Sequence, residues 1–476
     1  MTQAATPYSP IRTTIAKAAS RLMIAVTAVA LAIPPLPAAA QKRGGMPLIR
    51  DAEIEQLMRD YTAPIFRVAG LSKANLKIIL INDKSFNAFV VDGRRIFVNT
   101  GALAESTTPN QIIGVLAHET GHIAGGHLSK LRQELANVQT AAIIGMLLGA
   151  AAMAAGAATG AGANAGQAGM AAIHASQHAA MRSLLSYQRA HEEAADRAAV
   201  KFLAATGQSA KGMYETFKRF ADQSMFTARY ADPYAQSHPM ATERMAALTE
   251  IARTSPNWDK KDSPELQARH DMMRAKLSGF MEPPQTVARR YPPGDTSLPA
   301  RYARAIATYR HSDIRAAIAQ IDALIATQPN NPYFHELKGQ ALLENGRAAE
   351  AIAPLRRAAS LAPDPTLIQI MLGQALVATN NPAHAEEAIA ILRNGLAREP
   401  DTPHGYQQLA MAYGRKGDLA QADLASAQAA FARGDFKTAR ELAARAKTRL
   451  PVGSPGWVRA DDIVAAKVPT APTRPN

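Results

Sequence analysis

Three histidines and one glutamate fall within the stretch "GVLAHETGHIAGGH", residues 114–127. His118 and His122 are four residues apart, so on a helix both imidazoles project from one face and can share one metal ion. Glu119 lies beside them, within reach of a proton on a metal-bound water. The chemistry this implies is hydrolytic: a cation that acidifies water and a carboxylate that takes the proton away. Two histidines do not complete a catalytic centre, which needs three protein ligands and one open position. His127 is the nearest candidate, but it comes five residues after His122, where the metzincin spacing requires six. On a helix, five residues also rotate it well away from the face of the other two. The third ligand is therefore expected from another part of the chain.

A second segment, "RAHEEAADRAAVKFL" at residues 189–203, is helical by composition and amphipathic by spacing. "HETGH" followed some 70 residues later by "RAHEEAAD" resembles the gluzincin metallopeptidases related to HtpX and the Ste-type CAAX proteases. The resemblance implies that Glu192, four residues before Asp196, is the third metal ligand. Gln188 stands where that family more often has serine. Glu193 is the adjacent competitor, about 100 degrees away around the helix. Asp196 is implied to act in catalysis, by orienting a ligating histidine or by assisting proton transfer. "SHPMATER", residues 237–244, resembles a family element whose histidine can reach the metal, which makes His238 a regulatory fourth ligand and Arg244 a site arginine. His174 and His178 are also four apart but have no acid on their face, and read as surface residues.

These side chains need elements to hold them. "DAEIEQLMRDYTAPIFRVAGL" has helical spacing, and "LKIILINDKSFNAFVVDGRRIFVNTGAL" switches to strand-like runs, with Asp92-Gly93 predicting a two-residue hairpin turn. "FNAFVV" resembles the family's edge strand beside the active-site helix, which implies that substrate binds by strand addition. "TPNQ", Thr108 to Gln111, predicts a capping box that starts the helix carrying His118 and His122. No Asp, Glu, Lys or Arg lies between Glu134 and Arg182, and residues 138–173 are almost only Ala, Gly, Met, Ile and Leu. That composition predicts a flexible apolar segment near the cleft, with peripheral membrane contact.

The remainder sets domains and compartment. Residues 1–40 carry Arg12, Lys17 and Arg21 before an apolar run and "PAAAQ", the pattern of a signal peptide cut near Ala40. The chain has no cysteine, which excludes both disulfides and a lipoprotein anchor, and the signal pattern points to the periplasm. The formal charge of +14 favours contact with anionic surfaces, and no nucleic-acid motif is present. Proline-rich residues 281–298 read as a linker. Beyond it, Gly339 and Gly373 recur 34 residues apart, as do Pro329 and Pro363, the period of tetratricopeptide repeats over residues 299–451. Residues 452–476 read as a disordered tail.

The fold class expected is mainly α: an α+β zinc metallopeptidase domain over residues 41–280, then an α-solenoid of paired helices. Signal, peptidase and repeats together resemble the periplasmic beta-barrel assembly-enhancing proteases. That resemblance implies one Zn2+ per chain, and unfolded or stalled outer-membrane proteins as substrates. It also implies that the repeats bind protein partners such as the barrel assembly machinery. The rival reading is a repeat scaffold or chaperone whose metal site is structural or latent.

Overall fold

The computed structural model describes residues 47–158, 162–226 and 233–466. The predicted signal peptide lies outside these residues. A short strand β1 (Leu48–Ile49) leads into helix α1 (Ala52–Val68), which is capped by the Asp51 carboxylate accepting from the Ile54 amide. Strands β2 (Lys77–Ile81), β3 (Ala88–Val90) and β4 (Arg95–Asn99) complete a sheet of order β1-β2-β4-β3. β2 and β4 run parallel, and β3 pairs antiparallel with β4 in the register Phe89 to Phe97. β3 thus lies at the sheet edge. Asp92-Gly93 does not form the two-residue turn: residues 91–94 all lie between the strands, and the Asp92 carboxylate accepts from the amides of Arg94 and Arg95.

A short helix α2 (Thr100–Glu105) precedes α3 (Pro109–Ala124), which is central to the N-terminal core. Ile112, Ile113, Val115 and Leu116 of α3 pack against Leu57, Met58, Tyr61 and Ile65 of α1 and against Leu80 and Val98 of the sheet. The predicted capping box is not made. The Thr108 side chain forms no cap bond, and Gln111 instead accepts from the Thr107 amide at 2.7 Å. The Asn110 amide donates to Asp262, a carboxylate distant in sequence, and the Gln111 amide donates to the Thr108 carbonyl, which leaves the Thr108 hydroxyl no amide to serve.

The apolar segment expected to be flexible is helical. α4 (His127–Ala158) and α5 (Gly162–Ala205) pack along one another. Alanine's helix propensity outweighs the glycines, and the small side chains let the two backbones approach closely. Ile143, Ile144, Leu147 and Leu148 of α4 are more than half exposed. His127–Ala154 is long and apolar enough to cross a membrane, and little of it is covered by protein. His174 and His178 are exposed on α5.

α6 (Lys211–Phe226), α7 (Pro233–Ser237), α8 (Thr242–Arg253) and α9 (Pro264–Met281) close the domain. The predicted linker is folded. Residues 284–290 form α10 (Pro284–Arg290), and its Val287 is buried with Met272 and Ala275 of α9 and Tyr302 of the next helix. Proline at the first helical positions, read from the sequence as a break, here starts a helix.

Helix pairs follow: α11 (Leu298–His311) with α12 (Ile314–Thr327), α13 (Pro332–Glu344) with α14 (Ala348–Leu361), α15 (Thr366–Ala378) with α16 (Ala385–Arg398), and α17 (Pro403–Lys416) with α18 (Leu419–Ala432). Gly339 and Gly373 do equivalent work, since a Cβ at either would meet the Cγ of Leu355 or Leu392 within 2.5 Å. The extra residues of the third pair are taken up by a 3-10 turn, Pro382–His384. α19 (Phe436–Lys447) and α20 (Pro455–Ala465) then end the array, so the tail expected to be disordered is helical over its first part. Ser454 caps α20, and Ala460 and Ile463 are buried against Ala443 and Ala446. Residues 467–476 lie outside the described residues.

The helix pairs dock on the N-terminal domain through a buried charge cluster. Lys276 Nζ of α9 lies 2.8 Å from Asp51, 3.2 Å from Glu53 and 3.8 Å from Glu336 of α13, and the Tyr302 hydroxyl donates to Glu53 at 2.9 Å.

Candidate metal centre

α3 presents His118, Glu119 and His122 on its face toward α5, and Gly121 allows the two helices to meet. A Cβ at Gly121 would come within 2.8 Å of the Ala195 carbonyl oxygen. α5 in turn presents Glu192 and Asp196, one helical turn apart. His238 enters from the end of α7, its amide donating to the Tyr234 carbonyl at 2.8 Å and its ring stacked on Tyr234 at 4.6 Å. His118, Glu119, Glu192, Asp196, His238 and Arg244 are all buried.

Four donors converge. His118 Nε2 lies 3.0 Å from His122 Nε2, 3.3 Å from Glu192 Oε2 and 3.3 Å from His238 Nδ1. Glu192 completes the set at 3.4 Å from His122 Nε2 and 3.0 Å from His238 Nδ1. Donors held tetrahedrally at about 2.1 Å from one ion stand about 3.4 Å apart, close to these separations. His118, His122, Glu192 and His238 could therefore hold a metal ion. The donor chemistry agrees. The Nδ1 atoms of both α3 histidines face other partners, which leaves their two Nε2 lone pairs directed at one point. Unprotonated nitrogens 3.0 Å apart repel unless a proton or a cation lies between them.

The surrounding charges fix these side chains. Arg244 donates twice to Asp196, at 2.7 and 2.8 Å, and lies 2.9 Å from Glu192 Oε2. Its guanidinium sits over the Phe217 ring, whose plane also meets the His118 ring edge-on. Asp196 Oδ1 stands 2.9 Å from His118 Nδ1, off the axis of a linear hydrogen bond. Burial acts against charge on every one of these groups, and the neighbours decide the outcome. Burial would lower His118, yet Asp196 and Glu192 push it up to about 9. Burial would raise Glu192 and Asp196, yet His238 and His118 hold the first well below the usual carboxylate range, and Arg244 holds the second there. For Glu119, burial prevails over His238 and His118 and its carboxyl is raised. Glu119 Oε1 is buried without a hydrogen bond, 3.4 Å from His238 Nε2.

Residues 49–252 match the model for peptidase family M48, and residues 302–366 and 342–403 match tetratricopeptide repeats. The chain carries an M48 peptidase domain followed by tetratricopeptide repeats. It is a metalloendopeptidase. Curated relatives align along most of the chain. A beta-barrel assembly-enhancing protease of Yersinia pestis is 24% identical over 88% of this chain and 85% of its own length. One of Escherichia coli (strain K12) is 24% identical over 88% of this chain and 84% of its own.

Within this M48 domain the structure brings together every site residue the sequence pointed to, from four separate elements. Glu193 is not among them, and it lies 3.5 Å from Arg197. His127 is not among the four donors either, but it does not face away. α3 ends at Ala124, and a turn through Gly125 and Gly126 brings the His127 ring back until its Nδ1 is 3.1 Å from His122 Nδ1. The expected outward direction holds only for an unbroken helix, and α3 stops three residues before His127. The signal that could have corrected it is the Gly-Gly pair before His127. Tyr234 and Phe217, which seat His238, His118 and Arg244, left no mark in the sequence pattern.

Proposed function

We propose that this protein is a periplasmic zinc endopeptidase that removes misassembled outer-membrane proteins, held latent by His238 until substrate or partner moves that residue. The observation that carries the reading is the convergence of His118, His122, Glu192 and His238 beside the unpartnered oxygen of Glu119. The names of the full-length relatives support the substrate class. The repeat array supports protein partners, among which the barrel assembly machinery fits the same names.

A zinc ion bound here would polarise the scissile carbonyl and acidify the attacking water. His118, His122 and Glu192 would hold it, with Asp196 fixing the His118 ring and Arg244 fixing Asp196 and Glu192. Glu119 would accept the water proton at Oε1 and deliver it to the leaving amine. Edge strand β3, beside α3, would align an extended substrate through main-chain bonds. His238 occupies both places that catalysis needs. Its Nδ1 takes the fourth ligand position, and its Nε2 covers Glu119.

Glu119→Gln should abolish proteolysis of an unfolded outer-membrane protein while metal content stays near one zinc per chain. Undiminished proteolysis by that variant would sink the reading. A set of four protein ligands is also what structural zinc sites use, which favours the scaffold reading second. Complete rescue of a deletion strain by the Glu119→Gln protein would decide for the scaffold.

A further inference from the structure

His127 was the histidine without a role. It is nearly fully buried, starts α4 after a sharp turn, and touches one of the metal-binding candidates rather than the metal position. Its place is built in detail. Gly126 takes a φ of +62°, which turns the chain between α3 and α4. Gly125 has an ordinary helical φ, so nothing in its backbone requires glycine. Its missing side chain is explained by the ring above it, since a Cβ at Gly125 would lie 2.1 Å from His127 Nε2. On its other side the ring meets His191 of α5 at 4.2 Å between centroids, and Tyr187 closes on His191 edge-on at 4.2 Å. His191 directly precedes Glu192. The His127 ring is therefore clamped between the backbone of one ligand-bearing helix and a side chain of the other.

We propose that His127 is a positioning residue for the metal centre, accepting a hydrogen bond from His122 Nδ1 and thereby fixing the tautomer and ring angle of that ligand. The inference rests on reading the four-donor cluster as a metal centre. His122 turns Nε2 toward the cluster. A neutral imidazole that offers the Nε2 lone pair to a cation carries its hydrogen on Nδ1. That hydrogen points at His127 Nδ1, 3.1 Å away, which must then be the acceptor, so the His127 hydrogen sits on Nε2. The two ligands of α3 are thus supported unequally. His118 is backed by a carboxylate, Asp196, and His122 by a neutral imidazole. Losing such an outer partner typically costs 10- to 100-fold in metal affinity or activity. The motif reads as a functional unit: His118 and His122 bind, Gly125 and Gly126 make room, and His127 returns to hold His122.

The test uses the mature full-length chain with Zn2+, measured by competition against a chelator, and with Co2+, whose visible absorption reports ligand geometry. His127→Ala should raise the Zn2+ dissociation constant by about 10- to 100-fold and alter the Co2+ band, while the metal-free protein melts near the parent temperature. Gly125→Ala should do the same by displacing an intact His127. His127→Gln, whose amide oxygen can accept from His122, should recover part of the loss. If His127→Ala and Gly125→Ala both keep the parent's affinity and Co2+ spectrum, His127 is not a positioning residue. If the parent itself binds neither metal, the metal-centre reading falls, and this inference with it.

Discussion

Gly121→Ala should damage the centre more than the fold. The added Cβ would lie 2.8 Å from the Ala195 carbonyl oxygen and 3.0 Å from its Cα, where ordinary contact begins at 3.4 Å. The obstacle is helix backbone, which cannot rotate aside, so α3 and α5 must part by about 0.6 Å. Overpacking of this kind costs about 1–3 kcal/mol. Alanine's better helix propensity returns about 1 kcal/mol, so the net loss of stability stays at or below about 2 kcal/mol. The centre has no such compensation. His118 and His122 move with α3, and Glu192 and Asp196 stay with α5. Misplacement by about 1 Å can cost 100-fold, so a loss of roughly 10- to 100-fold in kcat/KM is expected, with weaker Zn2+ binding. The assay is hydrolysis of an unfolded protein substrate beside a thermal melt of the same sample. A variant with kcat/KM within about threefold of the parent would show that the helices absorb the methyl without moving the donors, and the positional argument would be wrong.

His238→Ala should raise basal proteolysis, because it frees both the fourth ligand position and Glu119. Unchanged basal activity would remove His238 from any regulatory role. Glu336→Gln should make the docked repeats more stable at alkaline pH. Burial raises this carboxyl to about 8 from an ordinary 4.5, so its cost to the folded state is absent below about 4.5 and grows as pH rises to about 8. At about 1.4 kcal/mol per pH unit, melting curves of variant and parent should coincide at pH 4 and separate by several degrees at pH 9; equal curves at pH 9 would refute it. The exposed apolar face of α4 should bind anionic phospholipid vesicles. Leu147 and Leu148, 65% and 66% exposed, each offer roughly 1 kcal/mol of further burial. A Leu147→Glu, Leu148→Glu double variant should therefore lose flotation with vesicles that the parent shows, and a parent that fails to float ends this proposal.

Some of this protein was legible from short-range order alone. The i, i+4 rule places His118 and His122 on one face whatever surrounds them, and the 34-residue recurrence of Gly339 and Gly373 encodes helix pairs that touch only their neighbours. Glu192, Asp196, His238 and Arg244 could be named only by resemblance, because nothing local links segments that are 70 or more residues apart in the chain. Local rules fail where the tertiary environment overrides them. Thr108 looks like a cap until Asp262 arrives from elsewhere to take the Asn110 amide. The prolines of residues 281–298 look like breaks until Val287 finds a core to enter. An alanine- and glycine-rich run looks flexible until its two ends pack along one another in α4 and α5. His127 is the clearest case. Sequence sets how many residues separate it from His122, but the direction of its ring depends on a left-handed turn at Gly126 and on the space above Gly125. Spacing along one helix determined which residues could bind a metal. The crossing of α3 with α5, and the turn after α3, decided which of them meet.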